Sequence, residues 1–258
     1  MFINVNGIET HYIVEGISPS AILILPGWGT TSSAYTLIIK QLSKSYTVYA
    51  LDLPGFGITN EPSSSWSIDD YADFVTTFVN QLQLKELILI GHSYGGRIII
   101  NLCNRKSTSF IVKEVILIDS AGIKNPLTKD QIKRQKHFKK LKSLCSTTLI
   151  SALFPKALEK IQKKYGSSDY SNASPVMKGT LVKAINQDYS NLLPNIEQNV
   201  FLIWGNNDTS TPISDAYKMK KLIPNSELEI IENAGHFPFL DQPFDFRKII
   251  SNHFKISL

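Results

Sequence analysis

Cysteine is scarce in this chain of 258 residues, with only Cys103 and Cys145. Two cysteines build no disulfide framework, and no CxxC or Cys/His cluster suggests zinc. Long apolar runs are missing too; nothing approaches the ~18 residues of a membrane-spanning helix. Met1 to Gly7 lack the basic-then-apolar pattern of a secretory signal. These absences make a reduced, cytoplasmic protein without metal or cofactor the expectation. No internal repeat is visible. What remains is ordinary globular composition, 43% hydrophobic and 19% charged, which excludes disordered and low-complexity classes. The length suits one large domain, or one domain carrying an insertion.

Charge of one sign is missing from one stretch. Lys124 to Lys164 holds 12 Lys+Arg against 2 Asp+Glu, a net of +10, so the rest of the chain is net −5 and the whole +5. A basic segment in a mildly acidic body raises nucleic acid or an anionic membrane surface as partners. Its basic residues, among them Lys133, Arg134, Lys136, Lys139, Lys140 and Lys142, have little aromatic interleaving and no nucleic-acid motif beside them. Nucleic acid is therefore not expected. Membrane contact stays as a minor alternative to a solvated helix face.

Short runs rich in Ile, Leu and Val recur, each ending in Gly, Pro, Asn or Asp: Ala21 to Leu25, Tyr46 to Leu53, Glu86 to Ile90, Val112 to Ile118, Val200 to Trp204 and Glu227 to Ile231. Such runs read as strands buried on both faces of a parallel sheet. Helical patterns lie between them. Ser67 is a candidate N-cap before an acidic first turn, followed by apolar residues at helical spacing to Leu82. Tyr94 to Lys106, Ser214 to Leu222 and Phe244 to Phe254 are further helices. The alternation predicts a doubly wound α/β fold with a mostly parallel sheet. Ile3 to Val14, turning at Asn6-Gly7, predicts an antiparallel hairpin at one edge.

Between Ala121 and Asn199 the alternation stops and the pattern is helical throughout. Phe138, Leu141, Cys145, Leu149 and Leu153 form one stripe ended by Pro155; Ala157 to Tyr165 is a second helix closed by Gly166. Ser174-Pro175 opens a third, with Ser as N-cap and Pro at the first helical position. The expected organisation is a core of residues 1–123 and 197–258 with an all-helical cap at 124–196.

The sharpest local signal is Gly91-His92-Ser93-Tyr94-Gly95-Gly96. It contains G-x-S-x-G, follows a strand and opens a helix. A sharp turn there strains the serine and exposes its hydroxyl, and small residues two before and two after relieve the crowding. The following helix N-terminus favours developing negative charge. A phosphate-binding loop would need Lys-Ser/Thr after the glycines, which this chain lacks.

A serine hydroxyl needs a base. His236 lies just after the last strand, where the loop returns to the same sheet edge. His92 adjoins Ser93 but points elsewhere on such a turn, so packing is expected of it; His11, His137 and His253 read as surface or packing residues. His236 needs a carboxylate to fix its tautomer. Asp208, after the preceding strand, is preferred for its loop and for the order Ser…Asp…His. Asp119, ending Val115 to Ile118, is the rival.

Five motifs stand in order: Leu25-Pro26-Gly27-Trp28-Gly29, Asp52-Leu53-Pro54-Gly55-Phe56-Gly57, Gly91 to Gly96, Trp204-Gly205-Asn206-Asn207-Asp208 and Ala234-Gly235-His236-Phe237. In these the chain resembles the α/β-hydrolase family, on the lid-bearing esterase and lipase side. The resemblance implies Ser93 as nucleophile, Asp208 as acid and His236 as base, with the backbone N–H groups of Trp28 and Tyr94 as the oxyanion hole. Where the family usually has His-Gly, this chain has Pro26-Gly27, which leaves the backbone donor in place. Arg97 resembles an arginine that binds an acidic substrate in a branch making a menaquinone precursor, although helix packing or a salt bridge is the commoner role of an arginine at such a position. Tyr35, Trp66, Phe154 and Phe237 are candidate lining of an apolar pocket.

The expected activity is that of a serine hydrolase, acting on a carboxylic ester through an acyl-enzyme, with a small-molecule substrate, anionic ones included. Two alternatives use the same residues: a carbon–carbon bond hydrolase or menaquinone-pathway-type lyase, and a non-catalytic binding member of the fold.

Overall fold

In a computed structural model, residues 1–106, 108–126, 128–145 and 167–258 are described. Eight strands form one sheet: β1 (Phe2–Val5), β2 (Ile8–Glu15), β3 (Ala21–Leu25), β4 (Thr47–Leu51), β5 (Glu86–His92), β6 (Ile111–Ile118), β7 (Asn199–Gly205) and β8 (Ser226–Ile231), in the spatial order β1-β2-β4-β3-β5-β6-β7-β8. β1 and β2 form the expected antiparallel hairpin, and β2 pairs antiparallel with β4. All pairs from β4 across to β8 are parallel.

The central strands earn their place by apolar burial. All five residues of β3 are buried, and each Ile or Leu removed from water contributes roughly 1.5–3 kcal/mol. Both faces are covered. On one lie α2 (Ile68–Gln81), α3 (Tyr94–Cys103) and α7 (Ile213–Leu222), whose Phe78, Ile99 and Met219 join Leu23, Leu89 and Leu117 of the sheet. On the other, α1 (Thr36–Leu42) and α9 (Pro243–Phe254) bring Ile38, Ile39 and Ile250 against Ile24, Ile116 and Ile203.

Local signals behave as their chemistry requires. Ser67 accepts from Asp70 N–H and the Asp70 side chain accepts from Ser67 N–H, a reciprocal cap. Two expected elements end early. β4 stops at Leu51, because Asp52 turns its carboxylate to accept from Ser32 N–H at 2.6 Å and to meet His11 Nδ1 at 2.9 Å. α3 stops at Cys103, because Asn104 bonds back to Ile100 O and Arg105 turns away to Asp73.

Described residues of 124–196 hold α4 (Lys129–Cys145), α5 (Ser168–Asn172), α6 (Pro175–Asn186) and a short 3-10 turn, and no strand. Ser174 caps α6 through Met177 N–H, with Pro175 at its first position. Leu149, Leu153, Pro155 and the expected helix from Ala157 to Tyr165 lie outside the described residues, as does Phe154. Among described residues no helix is long and apolar enough to cross a membrane. α8 (Pro238–Asp241) is a single turn beside the last loop.

Candidate active site

β5 leads directly into α3 through Ser93, which sits at φ 50° and ψ −109°. An L-residue pays about 1–3 kcal/mol for such a conformation and keeps it only where the surroundings enforce it. Here Ser93 N–H donates to Ile118 O of β6, while Ser93 O accepts from Gly96 and Ala121 N–H. Glycine is needed on both sides. A Cβ on Gly91 would lie 2.8 Å from Gly96 N, and one on Gly95 would collide with Leu25 O of β3. Gly96, outside the pentapeptide, is equally constrained, against the Ser120 side chain.

The hydroxyl so presented meets the other expected residues. Ser93 Oγ donates to His236 Nε2 at 2.9 Å, and His236 Nδ1 donates to Asp208 Oδ2 at 2.7 Å. The Asp208 side chain is fully buried and that of His236 is 19% exposed. Burial alone would raise the Asp208 pKa. Hydrogen bonds from His236 and Thr211 outweigh it and bring the carboxyl down to about 2. Asp208 Oδ1 accepts from Ser210 and Thr211 N–H, and Thr211 Oγ1 stands 2.6 Å from Oδ2. Trp204 Nε1 donates to Thr211 O at 2.7 Å and ties the loop to β7.

Asp119, the rival carboxylate, is not the residue bonded to His236. It ends β6 at φ 41° with no exposure, its Oδ1 accepting from Gly205 N–H at 3.0 Å. Its Oδ2 is buried with no donor in reach. Burial, then the nearby Asp208 charge, pushes its pKa up to about 9 against the pull of the Gly205 amide. Asp119, Asp208 and His236 bring one oxygen each and a ring nitrogen within 4.8 Å of one another. As a metal cradle the group fits poorly, since Asp208 and His236 are already spent on each other and on the loop.

His92 does more than pack. Its Nε2 donates to His236 O at 2.7 Å and its Nδ1 accepts from Tyr35 OH at 2.9 Å. Burial holds its pKa down at about 3, so the ring is neutral and can do both. Tyr35 OH also accepts from Gly27 N–H at 2.9 Å. A chain of hydrogen bonds thus joins the loop after β3 to the backbone of His236. Tyr35 is fully buried in this chain and lines no pocket, and Trp66 packs on Tyr71 and Phe74 instead. The expectation that these two rings line a pocket is corrected.

A cavity of about 850 Å³ opens over Ser93 and His236. Trp28, Tyr94, Arg97 and Phe237 line it, together with Leu181 and Ile185 of α6. Among described residues the backbone N–H groups of Trp28 and Tyr94 have no hydrogen-bond partner. Arg97 is 8% exposed, donates from Nη1 to Gln187 O at 3.1 Å, and has no ion pair among described residues. Burial lowers its pKa, partly offset by Tyr189, Tyr94 and two more distant carboxylates.

Residues 20–243 match the family described as the alpha/beta hydrolase fold. The chain belongs to that family. It is 23% identical over 262 residues to the pimeloyl-[acyl-carrier protein] methyl ester esterase of Yersinia pseudotuberculosis, covering 95% of this chain and 96% of the relative. It is 23% identical over 257 residues to the 2-hydroxy-6-oxo-6-(2'-aminophenyl)hexa-2,4-dienoic acid hydrolase of Metapseudomonas resinovorans, covering 95% and 87%. The crystal structure of the enol-lactonase of Burkholderia xenovorans LB400 superposes with a TM-score of 0.75 at 19% identity, over 99% of this chain and 100% of that one. All three are named for hydrolysis, and this alpha/beta hydrolase shares their fold with Ser93 at its elbow.

Proposed function

We propose that the protein is a serine hydrolase of carboxylic esters. The observation that carries this reading is the unbroken relay from Ser93 Oγ through His236 to Asp208 beneath an open cavity. Ser93 attacks the ester carbonyl while His236 takes its proton, and Asp208 stabilises the imidazolium that forms. The N–H groups of Trp28 and Tyr94 receive the oxyanion, at roughly 2.7–4 kcal/mol for each well-aimed donor. His236 then protonates the departing alcohol. Water, deprotonated by the same ring, releases the acid from the acyl-enzyme.

Residues 124–196 act in this reading as a cap that shapes the acyl and alcohol sites, since α6 already supplies cavity wall. Arg97, buried beside the cavity and in no ion pair among described residues, anchors an anionic group on the substrate. Ser93→Ala abolishes turnover of p-nitrophenyl esters and labelling by a fluorophosphonate probe; undiminished labelling of the variant overturns the assignment. An ester-length series on the wild type then measures the depth of the site.

A carbon–carbon bond hydrolysis is the second reading, favoured by the same buried Arg97 at the cavity wall. Turnover of a vinylogous diketone acid exceeding that of every p-nitrophenyl ester would select it. A lyase of the menaquinone-precursor type predicts instead elimination from an anionic cyclohexene.

A further inference from the structure

Two carboxyl groups approach His236, and the relay uses one. Asp119 is wholly buried, its Oδ1 is satisfied by Gly205 N–H, and its Oδ2 has no donor near it. An ionised carboxylate oxygen left bare in the interior is costly, and two carboxylates this close do not both ionise. The arrangement is resolved if Asp119 carries the proton. Its hydroxyl then becomes a donor, and Asp208, the ionised neighbour with one oxygen inside the same 4.8 Å group, is the acceptor at hand.

We propose that Asp119 is a positioning residue for the hydrolysis. In its protonated form it donates to the Asp208 carboxylate and holds it against His236. When Asp208 is removed, Asp119 ionises and supplies the counter-charge to His236. The inference rests on the reading of Ser93, His236 and Asp208 as the hydrolytic relay.

The topology brings this about. β6 and β7 are neighbours; β6 ends at Ile118 opposite Ile203, two residues before the end of β7 at Gly205, so Asp119 lies beside the end of β7 and the loop that carries Asp208. Asp119 N–H donates to Ile203 O at 3.0 Å, and Thr211 Oγ1 stands 3.0 Å from Asp119 O and 2.6 Å from Asp208 Oδ2. Thr211 therefore locks the two acids into one frame. The charged or titratable groups around Asp119 are Asp208 after β7, His236 after β8 and, further out, Asp241 of α8; His92 of β5 touches His236 from its other side. No described cation faces Asp119. Burial, and after it the Asp208 charge, retains the proton on Asp119 through neutral pH; neutralising Asp208 removes the smaller of these two causes and leaves the burial, so Asp119 ionises more readily but still above the ordinary carboxylate range.

The test compares Asp119→Asn, Asp119→Ala, Asp208→Asn and the double variant Asp119→Asn/Asp208→Asn as full chains, reading kcat and KM on one accepted p-nitrophenyl ester from pH 6 to 10. Replacing the relay acid costs about 10⁴-fold in kcat where no substitute stands by. Here Asp208→Asn retains turnover about 10–100 times that of the double variant, rising with pH as Asp119 ionises. Asp119→Asn keeps a donor toward Asp208 and outperforms Asp119→Ala in kcat at unchanged KM. Asp119→Ala empties a buried site, so the isosteric Asn variants carry the decision if it does not fold. Equal rates and equal pH profiles for Asp208→Asn and the double variant overturn the proposal. Retained turnover in Ser93→Ala would instead overturn the hydrolytic reading beneath it, so the two failures are distinguishable.

Discussion

The loops at the ends of β5, β7 and β8 and the described residues between β6 and β7 are built by different means. The first are rigid by crowding. Gly91, Gly95 and Gly96 each sit where a methyl group would strike backbone or a buried side chain, and Asp208 is fully enclosed. The described part of the second combines apolar packing, with Met177 and Ala184 of α6 and Leu193 in the main core, with polar handles. α6 is held by Thr180 Oγ1, which accepts from Trp66 N–H at 2.9 Å, and by Val176 O, which accepts from Ser65 Oγ at 2.7 Å. On α4 the lysines 129, 133, 136, 139 and 140 are all exposed. The reacting atoms and the space around them answer to different constraints. Backbone crowding fixes the relay, while α6, the cavity wall, is seated by Met177 and Ala184 and by side-chain hydrogen bonds to Ser65 and Trp66.

The largest break comes from the crowded side. Gly95→Ala forces a methyl group into Leu25 O and parts the elbow from β3. We expect a loss of about 3 kcal/mol in urea unfolding, the upper end of the usual cost of overpacking because the obstacle is backbone, together with loss of measurable turnover. A variant of wild-type stability would show that the elbow is not the fixed part.

His92→Phe comes next. It keeps the ring volume but removes the hydrogen bonds to His236 O and Tyr35 OH; Tyr35 OH keeps Gly27 N–H and Thr30 Oγ1, while His236 O loses its donor at about 1–3 kcal/mol. The expected readouts are lower stability and about a tenfold fall in kcat, since the His236 backbone loses its tether. A pH signature accompanies it. The folded protein holds His92 neutral down to about pH 3, whereas the unfolded chain takes up a proton below about 6.5. Stability from neutral His92 is complete above that unfolded value and is lost as the pH falls toward 3. The gap between wild type and His92→Phe in urea midpoint therefore narrows from pH 7.5 to pH 4.5. A constant gap contradicts the buried neutral ring.

How much of this was legible in the sequence follows the same division. All six parallel strands stand out because strands buried on both faces concentrate Ile, Leu and Val, and their ends shift by only a few residues. α1 gives little signal at seven residues: Ile38, Ile39 and Leu42 form too short a stripe to separate from a loop. Ser93, Asp208 and His236 are legible because each occupies a turn whose composition is demanding. Thr211, and the meeting of Asp119 with Asp208, are not; they depend on β6 and β7 being neighbours, which no local spacing encodes. His92 is visible as a residue, but its two hydrogen bonds require Tyr35 from a distant loop. Tyr35 and Trp66 look like pocket aromatics until the fold encloses the first and packs the half-buried second on Tyr71 and Phe74. The segment 124–196 announces helices and charge and little else, because an exposed lysine-rich helix constrains neither its neighbours nor its own composition.

On the polar side the effects shrink. Thr180→Val strands the Trp66 N–H, a local cost of about 1–3 kcal/mol where Thr180 is fully buried. Because α6 supplies cavity wall, we expect KM to rise several-fold with kcat nearly constant, the pattern of lost uniform binding. A fall in kcat at constant KM would place α6 inside the relay's support and erase the distinction between the two regions.

The smallest expected effect tests the distinction from the far end. Changing Lys129, Lys133, Lys136, Lys139 and Lys140 together to Gln removes five positive charges from α4 and touches no part of the relay. Each exposed substitution is worth within about ±0.5 kcal/mol, so the urea midpoint moves little. Their field reaches the cavity mouth only weakly through salt, the Debye length being about 8 Å at physiological ionic strength. What should move is the preference between a carboxylate-bearing ester and its neutral counterpart: a few-fold loss in relative kcat/KM for the anionic one at low salt, vanishing near 0.5 M salt. Arg97 is separated from this effect by its burial, and its contribution persists at high salt. An unchanged preference at every ionic strength would mean that the positive charge of α4 plays no part in substrate choice, and that Arg97 alone carries whatever selectivity for anions the cavity has.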